Sequence, residues 1–352
     1  MSKFKILVSQ PLCAKPAVVA ALASLYLAGF AMTDTSHAKD IVCKGHNLFD
    51  ELQQKEPQTA QFIRNEGEKL VYSKGLTWKI TKGDAKPSYL FGTVHMSDPR
   101  LLDLPEKTRA AFEGADVLAL EITDILDPAE MAKKSIGLMK YTTYLDGSSL
   151  SDAMTKEQIA TTTKRFEKIG LPWSVVSRMK PWVAMGAIAL PACELARKAA
   201  GKPFLDLSLG QEAQAAGKQI AALETLEGQM SAMAALSDKL MVDALVETAR
   251  MEDQLEDMFE TLIQLYKREE IGTILSLMRS MGAKGVKKQE EVEGFAAFQS
   301  TIIDQRNRTM AKAIGPLADK GGAFIAVGAL HLPGEMGILN ILAQSGYTVS
   351  RH

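Results

Sequence analysis

Two of the five histidines in this chain stand in the same local setting, near opposite ends of the sequence. The runs Tyr89–His95 and Ala323–His331 are apolar and strand-like, and each places a glycine three residues before its histidine. A strand that reaches glycine can turn sharply, so we expect the following side chain at the carboxyl edge of a sheet, where α/β proteins bind ligands. Neutral imidazole is a common metal ligand and a general base, so the two histidines together predict a site.

Two glutamates end similar apolar runs. Val117–Leu120 leads into Glu121 and Gln219–Leu223 leads into Glu224, and both runs are interpreted as buried strands. In a mostly parallel sheet these strand ends meet at one edge, together with the two histidines. Two histidines and one glutamate form a familiar ligand set for a catalytic divalent metal that keeps a position for water. Taken singly, each has an ordinary alternative: a histidine that is only hydrogen-bonded, or a glutamate that caps a helix or faces solvent.

The elements that must position these residues alternate between strand-like and helix-like patterns. Leu76–Thr81 alternates apolar and polar residues, and the turn-rich segment Lys82–Pro87 separates it from the strand that leads to the first histidine. This pair of runs predicts a hairpin. Pro105–Gly114 is expected to form a short helix, and Tyr347–Arg351 a final strand.

Helical patterns dominate two long stretches, at about residues 125–200 and 228–300. From Met241 to Leu265 apolar residues recur with a period close to 3.6, which predicts a helix. The second stretch is rich in methionine, and methionines at helical spacing are interpreted as core. We therefore expect an α/β fold with a central mixed, mostly parallel sheet flanked by helices. A helical insertion is expected to cover the carboxyl edge of that sheet.

Residues 1–38 have the pattern of a secretory signal peptide. Three lysines precede an apolar stretch from Pro16 to Met32, and Ser36–Ala38 has the small-x-small spacing of a cleavage site, which predicts cleavage after Ala38. An uncleaved anchor is the alternative, because the apolar run is close to the shortest length that spans a bilayer. With the leader removed, residues 39–352 are expected to form the folded domain, without a membrane span, at a periplasmic or secreted location.

The composition limits the classes of partner, and the cysteines raise the question of a disulfide. The formal net charge is −1 and no basic block is present, so nucleic acid is not an expected partner. Beyond the leader, Cys43 and Cys193 are the only cysteines. In an oxidising compartment this pair is expected to form a disulfide, with two buried free thiols as the alternative. The oligomeric state stays open.

The order of several segments is similar to that of the TraB/GumN family. The family is related to the Tiki metalloproteases and, more distantly, to haem-binding ChaN-like and erythromycin-esterase-like proteins. The resemblance covers about residues 41–352, and the order of the blocks is more specific than any single block. The segments that carry it are Tyr89–His95, Ala115–Glu121, Asp206 with Ala213–Gln229, Gln305–Asn307 and Phe324–Gly334.

The resemblance implies a divalent metal held by His95, Glu121 and His331, with manganese or cobalt as in the Tiki branch and zinc as a further candidate. Arg306 matches a recurrent family arginine, whose fork of donors would suit an oxyanion or a carboxylate partner. A surface ion pair is the alternative interpretation of this arginine. Glu224 matches a family position whose role is less settled, as does Gln229.

Two functions from different classes follow. The first is an exported metal-dependent hydrolase, most concretely a peptidase that acts on a peptide or envelope component. Its catalytic candidates are Arg306 and two carboxylates, Glu121 or Glu224, that could move a proton. The second is a non-catalytic envelope binding or assembly factor, related to haem or polysaccharide export. An open metal position beside Arg306 would favour the hydrolase, and an axial ligand in an apolar cavity would favour a haem protein.

Overall fold

A mixed six-stranded sheet forms the centre of the molecule in a computed structural model that describes residues 41–282 and 294–352. The strands are β1 Thr77–Thr81, β2 Ser88–Thr93, β3 Val117–Leu120, β4 Gln219–Ala222, β5 Ala323–Gly328 and β6 Thr348–Arg351. Their order across the sheet is β4-β3-β5-β2-β1-β6. The four strands from β4 to β2 are parallel, whereas β1 pairs antiparallel with β2 and β6. The predicted fold class is confirmed.

Helices surround this sheet. The first nine are α1 Leu48–Lys55, α2 Pro57–Glu68, α3 Pro99–Leu102, α4 Glu106–Glu113, α5 Pro128–Gly137, α6 Met139–Thr142, α7 Lys156–Lys168, α8 Trp173–Val176 and α9 Pro181–Ile188. They are followed by α10 Ala192–Ala199, α11 Leu205–Ala215, α12 Leu226–Ala234, α13 Asp238–Arg250, α14 Leu255–Lys267, α15 Ile271–Gly282, α16 Gln305–Lys320 and α17 Ile338–Gln344. Residues 294–298 are helical and continue through a π-helical turn, Gln299–Asp304, into α16. Short 3₁₀ turns occupy Asp124–Leu126, Leu150–Ala153, Glu252–Gln254 and Ala329–His331.

The sheet is the middle layer between two apolar cores. Side chains of β5 alternate between them: Phe324 and Ala326 pack on one face, and Ile325 and Val327 on the other. Helices α1, α2, α11, α14 and α15 contribute to the first core, and α16 and α17 to the second. A third core joins α7, α9, α12 and α13 away from the sheet. The central strands β3 and β5 are therefore buried on both faces.

Two predicted elements differ from the structure. β4 was expected to be buried, but it is an edge strand and is partly exposed, because only β3 pairs with it. The run from Met241 to Leu265 is helical as predicted, and the 3₁₀ turn Glu252–Gln254, which the periodicity does not indicate, divides it into α13 and α14. Met241 and Leu265 remain buried on either side of the break, so the periodicity identified the core positions correctly.

The N-terminal part of the described chain is covalently tied to the middle of the sequence. Cys43 and Cys193 form the predicted disulfide, with 5.4 Å between their Cα atoms, and the bond joins positions 150 residues apart. Arg197 of α10 reinforces this link by donating from Nε to the carbonyl oxygen of Ile41 at 3.0 Å. The predicted signal peptide, residues 1–38, lies outside the described residues. Within residues 41–282 and 294–352, no helix is long and apolar enough to cross a membrane.

Candidate functional site

Four adjacent parallel strands bring the candidate residues to one edge of the sheet. β2 and β5 are neighbours, with Thr93 paired to Gly328, so their two histidines follow from adjacent strand ends. β3 pairs with the other side of β5 and continues directly into Glu121. β4 lies beyond β3 and is followed by Glu224 two residues later. The structure therefore assembles the predicted residues from segments more than 200 positions apart in the chain.

The glycines of the two G-x-x-H segments are needed for close packing rather than for a turn. Neither Gly92 nor Gly328 has a positive φ angle, so the turn into Ala329–His331 does not depend on a backbone conformation that only glycine favours. A Cβ atom on Gly92 would lie 2.7 Å from Leu332 Cδ1 and 3.0 Å from the Cα atom of Ala329. A Cβ atom on Gly328 would lie 3.2 Å from Glu121 Oε1. Both glycines leave room for the groups that form the site.

His331 is buried and held in one tautomer. Its Nδ1 lies 2.6 Å from Asn307 Oδ1, and the amide nitrogen of Asn307 donates to the carbonyl oxygen of Met336 at 2.7 Å. The Asn307 oxygen is therefore an acceptor, so Nδ1 carries the proton and Nε2 presents a lone pair. Burial lowers the pKa of His331 to about 3, despite the opposing attraction of Glu121. The ring is thus neutral at physiological pH, as a metal ligand must be.

Glu121 is a buried carboxylate whose oxygens have different surroundings. Oε2 accepts from Arg306 Nη2 at 2.6 Å and from Gln229 Nε2 at 3.1 Å. Oε1 accepts from the backbone N–H of Gly328 at 2.7 Å and lies 3.8 Å from His331 Nε2. Burial alone would raise the pKa of Glu121, but Arg306 and the nearby histidines hold it at about 2. The carboxylate is therefore ionised, with Oε1 directed toward His331.

His95 is oriented by a different partner. Its Nδ1 lies 3.0 Å from Asp206 Oδ2, while Asp206 Oδ1 accepts from the Thr93 hydroxyl at 2.7 Å. The edge of its ring meets Phe204, with 5.5 Å between centroids. Burial would lower the pKa of His95, but the attraction and hydrogen bond of Asp206 raise it above its ordinary value. Asp206 and Asn307 thus each orient one of the two histidines through a hydrogen bond at Nδ1.

Arg306 joins two buried carboxylates. Its Nε donates to Glu224 at 3.1 Å, and its Nη2 donates to both Glu121 and Glu224. Gln229 lies between the same two carboxylates, at 3.1 Å from Glu121 and 2.9 Å from Glu224. Arg306 is only 8% exposed, so the alternative of a surface ion pair is excluded. Its Nη1 makes one long contact, 3.4 Å to the Ile302 carbonyl, which leaves donor capacity among the described residues.

The site opens onto a cavity of about 70 Å³ at the carboxyl edge. His95, Glu121, Arg306 and His331 line one side of it, whereas Glu224 lies behind Arg306. Helices α14 and α15 and the π-helical turn before α16 close the other side, as the prediction of a helical cover requires. The residues that line this side are Leu262, Tyr266, Ile274, Phe298, Ile302 and Ile303, with Phe298 directly before the π-helical turn.

Comparison with known proteins identifies the family. The TraB/PrgY/gumN family model matches residues 76–351. The chain belongs to the TraB/PrgY/gumN family. This TraB/PrgY/gumN protein is 24% identical to Metalloprotease TIKI2 of Danio rerio over 75% of its own chain and 58% of the relative. It is 24% identical to Metalloprotease TIKI1 of Homo sapiens over 77% and 61%, respectively. The TraB/PrgY/gumN chain therefore spans about three fifths of the length of these curated relatives, and no solved structure matches it.

The metalloprotease relatives imply a divalent metal, and the donor chemistry of the TraB/PrgY/gumN site fits one. His331 Nε2 and Glu121 Oε1 are 3.8 Å apart, too far for a hydrogen bond. The distance suits two ligands that each lie about 2.0 to 2.2 Å from one ion. Within the described residues, no group of three His, Cys, Asp or Glu side chains is already close enough to bind an ion. The preassembled part of the site is therefore the pair His331 and Glu121.

Proposed function

We propose that this TraB/PrgY/gumN protein is an exported metal-dependent hydrolase that cleaves a peptide bond in a peptide or envelope component. The observation that carries the proposal is the 3.8 Å approach of His331 Nε2 to Glu121 Oε1 in a cavity that Arg306 also lines. The names of the metalloprotease relatives support the reaction class. The Cys43–Cys193 disulfide supports an oxidising location such as the periplasm.

In this proposal His331, Glu121 and His95 hold the ion, with manganese or cobalt as the first candidates and zinc as another. A bound divalent ion lowers the pKa of water and polarises a carbonyl group. His331 contributes a neutral ring whose position Asn307 fixes. Glu121 contributes an ionised oxygen, and His95 approaches from the neighbouring strand with Asp206 behind it.

The remaining side chains have separate tasks in the proposed hydrolysis. The water oxygen bonds to the carbonyl carbon, the carbon–nitrogen bond breaks, and one proton from water passes to the leaving nitrogen. Glu121 and Glu224 are the two candidates for this proton transfer; Glu121 lines the cavity, whereas both oxygens of Glu224 accept hydrogen bonds from Arg306. Arg306 directs Nη1 to the negative charge that develops on the carbonyl oxygen. Glu224 then acts as a positioning residue for Arg306.

The dimensions of the cavity favour this function over ligand storage. Sites for cofactors and small molecules commonly enclose about 300 to 1,000 Å³, whereas this cavity has about 70 Å³. It accommodates an ion, a water molecule and a short part of a substrate, but not a haem. We therefore favour the hydrolase over the haem-related binding factor.

The test measures the metal content and the peptide hydrolysis of the protein from which the leader has been removed. Wild-type protein purified without chelator should contain about one divalent ion per chain and hydrolyse members of a peptide library. His331→Ala should lose both properties, because it removes one half of the preassembled pair. His46→Ala is the matched control, since His46 is exposed on the surface. A His331→Ala protein that retains wild-type metal content and hydrolysis would contradict the proposal.

A further inference from the structure

We infer that the apolar half of the cavity is a subsite for an aliphatic side chain of the substrate, on a residue that flanks the cleaved bond. This inference rests on the proposed function and names the substrate class: a peptide with a small or medium aliphatic residue beside the cleaved bond. It concerns the cavity wall formed by helices α14 and α15 and the π-helical turn, opposite the candidate ligands. None of these wall residues takes part in the proposed chemistry.

The wall is apolar and tightly buried. Leu262, Ile274, Phe298, Ile302 and Ile303 are between 2% and 7% exposed. They come from three helical segments that meet over the edge of the sheet. Removing an aliphatic side chain from water into such surroundings is favourable, by about 25 cal/mol for each Å² of apolar surface buried.

Several polar groups that line the cavity are already engaged. Tyr266 donates its hydroxyl hydrogen to the carbonyl oxygen of Gly92 at 2.6 Å, and burial raises its pKa, so it stays protonated. Thr93 donates to Asp206 at 2.7 Å. The charges of Arg306 and Glu121 pair with each other. A charged substrate side chain seated against Leu262, Ile274 and Ile303 would therefore meet no charged group on that wall, and such burial is unfavourable.

The volume limits the size of the side chain. An apolar protein cavity of about 150 Å³ holds one benzene molecule, and this cavity has about 70 Å³. The space therefore favours a small aliphatic side chain over the ring of phenylalanine or tryptophan. The subsite should therefore discriminate by size as well as by polarity.

The wall and the proposed oxyanion donor belong to one continuous helical segment. The π-helical turn Gln299–Asp304 carries Ile302 and Ile303 and leads directly into α16, which begins next to Arg306. The carbonyl oxygen of Ile302 accepts from Arg306 Nη1 at 3.4 Å. π-Helical turns are frequent at functional sites. A side chain seated against Ile302 would therefore place the adjacent peptide carbonyl close to the Arg306 guanidinium.

The first experiment uses wild-type, manganese-loaded protein and a set of peptides that differ at one residue beside the cleaved bond. We expect kcat/KM for the valine or leucine peptide to exceed that for the aspartate or lysine peptide by about 100-fold or more. We expect the same value to exceed kcat/KM for the tryptophan peptide by at least about 10-fold. Equal rates for charged and aliphatic peptides would overturn the subsite. An absence of hydrolysis for every peptide would instead contradict the proposed function, so the two failures are distinguishable.

The second experiment enlarges the subsite. Phe298→Ala should raise the relative kcat/KM of the phenylalanine peptide by about 10-fold over the leucine peptide, because it removes a ring from the wall. Ile303→Ala should produce a smaller change in the same direction. This variant replaces Phe298→Ala as the test if Phe298→Ala fails to fold. Phe62→Ala is the matched control, since this ring is 63% exposed on α2. Unchanged preferences in both wall variants would also overturn the inference.

Discussion

His331 and Asn307 form a hydrogen bond with 2.6 Å between Nδ1 and Oδ1, although the two residues belong to different elements. Asn307 lies on α16 and is itself held by the carbonyl oxygen of Met336. This chain of two bonds fixes both the ring and its tautomer. The availability of Nε2 therefore depends on a helix that packs against the sheet, and not only on the 3₁₀ turn that carries the histidine.

Asn307→Ala should weaken metal binding while leaving the fold intact. Loss of a partner behind a histidine ligand commonly lowers metal affinity by about 10- to 100-fold, because the ring is no longer held in the binding tautomer. Competition with a chromophoric chelator measures the change. Asn340→Ala is the control, since its amide contacts only the Glu335 backbone and side chain. Equal metal affinity in wild type and Asn307→Ala would show that the bond has no such role.

Arg306 should affect turnover more than metal content. Arg306→Ala is expected to reduce kcat by about 100-fold or more, because it removes a donor to the developing oxyanion. It also leaves Glu121 and Glu224 without their buried cation, which should lower the free energy of unfolding by about 3 to 5 kcal/mol. Arg306→Lys keeps the charge but not the fork of donors, so it separates the two effects.

Metal analysis, peptide hydrolysis and denaturant unfolding should be measured on both Arg306 variants. Arg308→Ala, at an exposed position two residues later, is the control. A wild-type kcat in Arg306→Lys would show that the paired donors are dispensable. Loss of metal from Arg306→Lys would show instead that the arginine is needed to keep Glu121 in place.

The stability of metal-free protein should decrease toward acidic pH. His331 has a pKa of about 3 in the folded chain against an ordinary value of 6.5. Between these values the unfolded chain binds a proton that the folded chain excludes. The contribution is complete above pH 6.5 and is lost as the pH falls toward 3. Glu121 acts in the same direction between 4.5 and about 2.

Urea unfolding of chelator-treated protein at about pH 7, 6, 5 and 4 measures this linkage. The raised pKa of His95 opposes the change near pH 7, and below about pH 6 the free energy of unfolding should fall by several kcal/mol. His331→Gln should flatten the dependence between about pH 6.5 and 4.5, where Glu121 has not yet begun to contribute. An identical dependence in wild type and His331→Gln would contradict the buried neutral histidine.

The disulfide should contribute to stability without contributing to chemistry. Replacing Cys43 and Cys193 together by serine removes a bond that joins positions 150 residues apart. The free energy of unfolding should fall by about 2 to 5 kcal/mol. Thiol titration of the cleaved, unfolded and unreduced wild type should detect no reactive thiol. Two reactive thiols per chain would contradict the structure.

Gly92→Ala should destabilise the fold although the backbone conformation suits alanine. The new methyl group would lie 3.0 Å from the Cα atom of Ala329, which cannot move away as a flexible side chain can. Overpacking of this kind costs about 1 to 3 kcal/mol. Gly137→Ala is the control, because its methyl group would meet nothing within 4 Å. Thermal unfolding should show a lower midpoint for Gly92→Ala only.

The candidate residues at the strand ends could be predicted from sequence, because each of them follows a short apolar run with a clear end. Glu121 and His331 follow such runs, and the parallel sheet brings them together. The disulfide was predictable because only two cysteines remain beyond the leader. These inferences needed the type and order of residues, but no distances.

The groups behind the histidines could not be predicted in the same way. Asp206 and Asn307 belonged to segments that carried the family resemblance, but nothing local connects Asp206 to His95, 111 positions away. The packing of α11 and α16 against the sheet creates these contacts. The reason for Gly92 was also hidden, because its crowding comes from residues more than 200 positions later. Tertiary packing decided both points.

The central strand β5 comes late in the sequence, so the sheet can be completed only near the end of synthesis. β5 lies between β2 and β3, yet every other strand except β6 precedes it in the chain. A nascent chain that ends before Ala323 already contains His95 and Glu121, but its sheet lacks the strand that must join them. Such non-local pairing is slow to form and needs the whole chain. The candidate site is therefore incomplete until nearly the entire length of the chain has been released to fold.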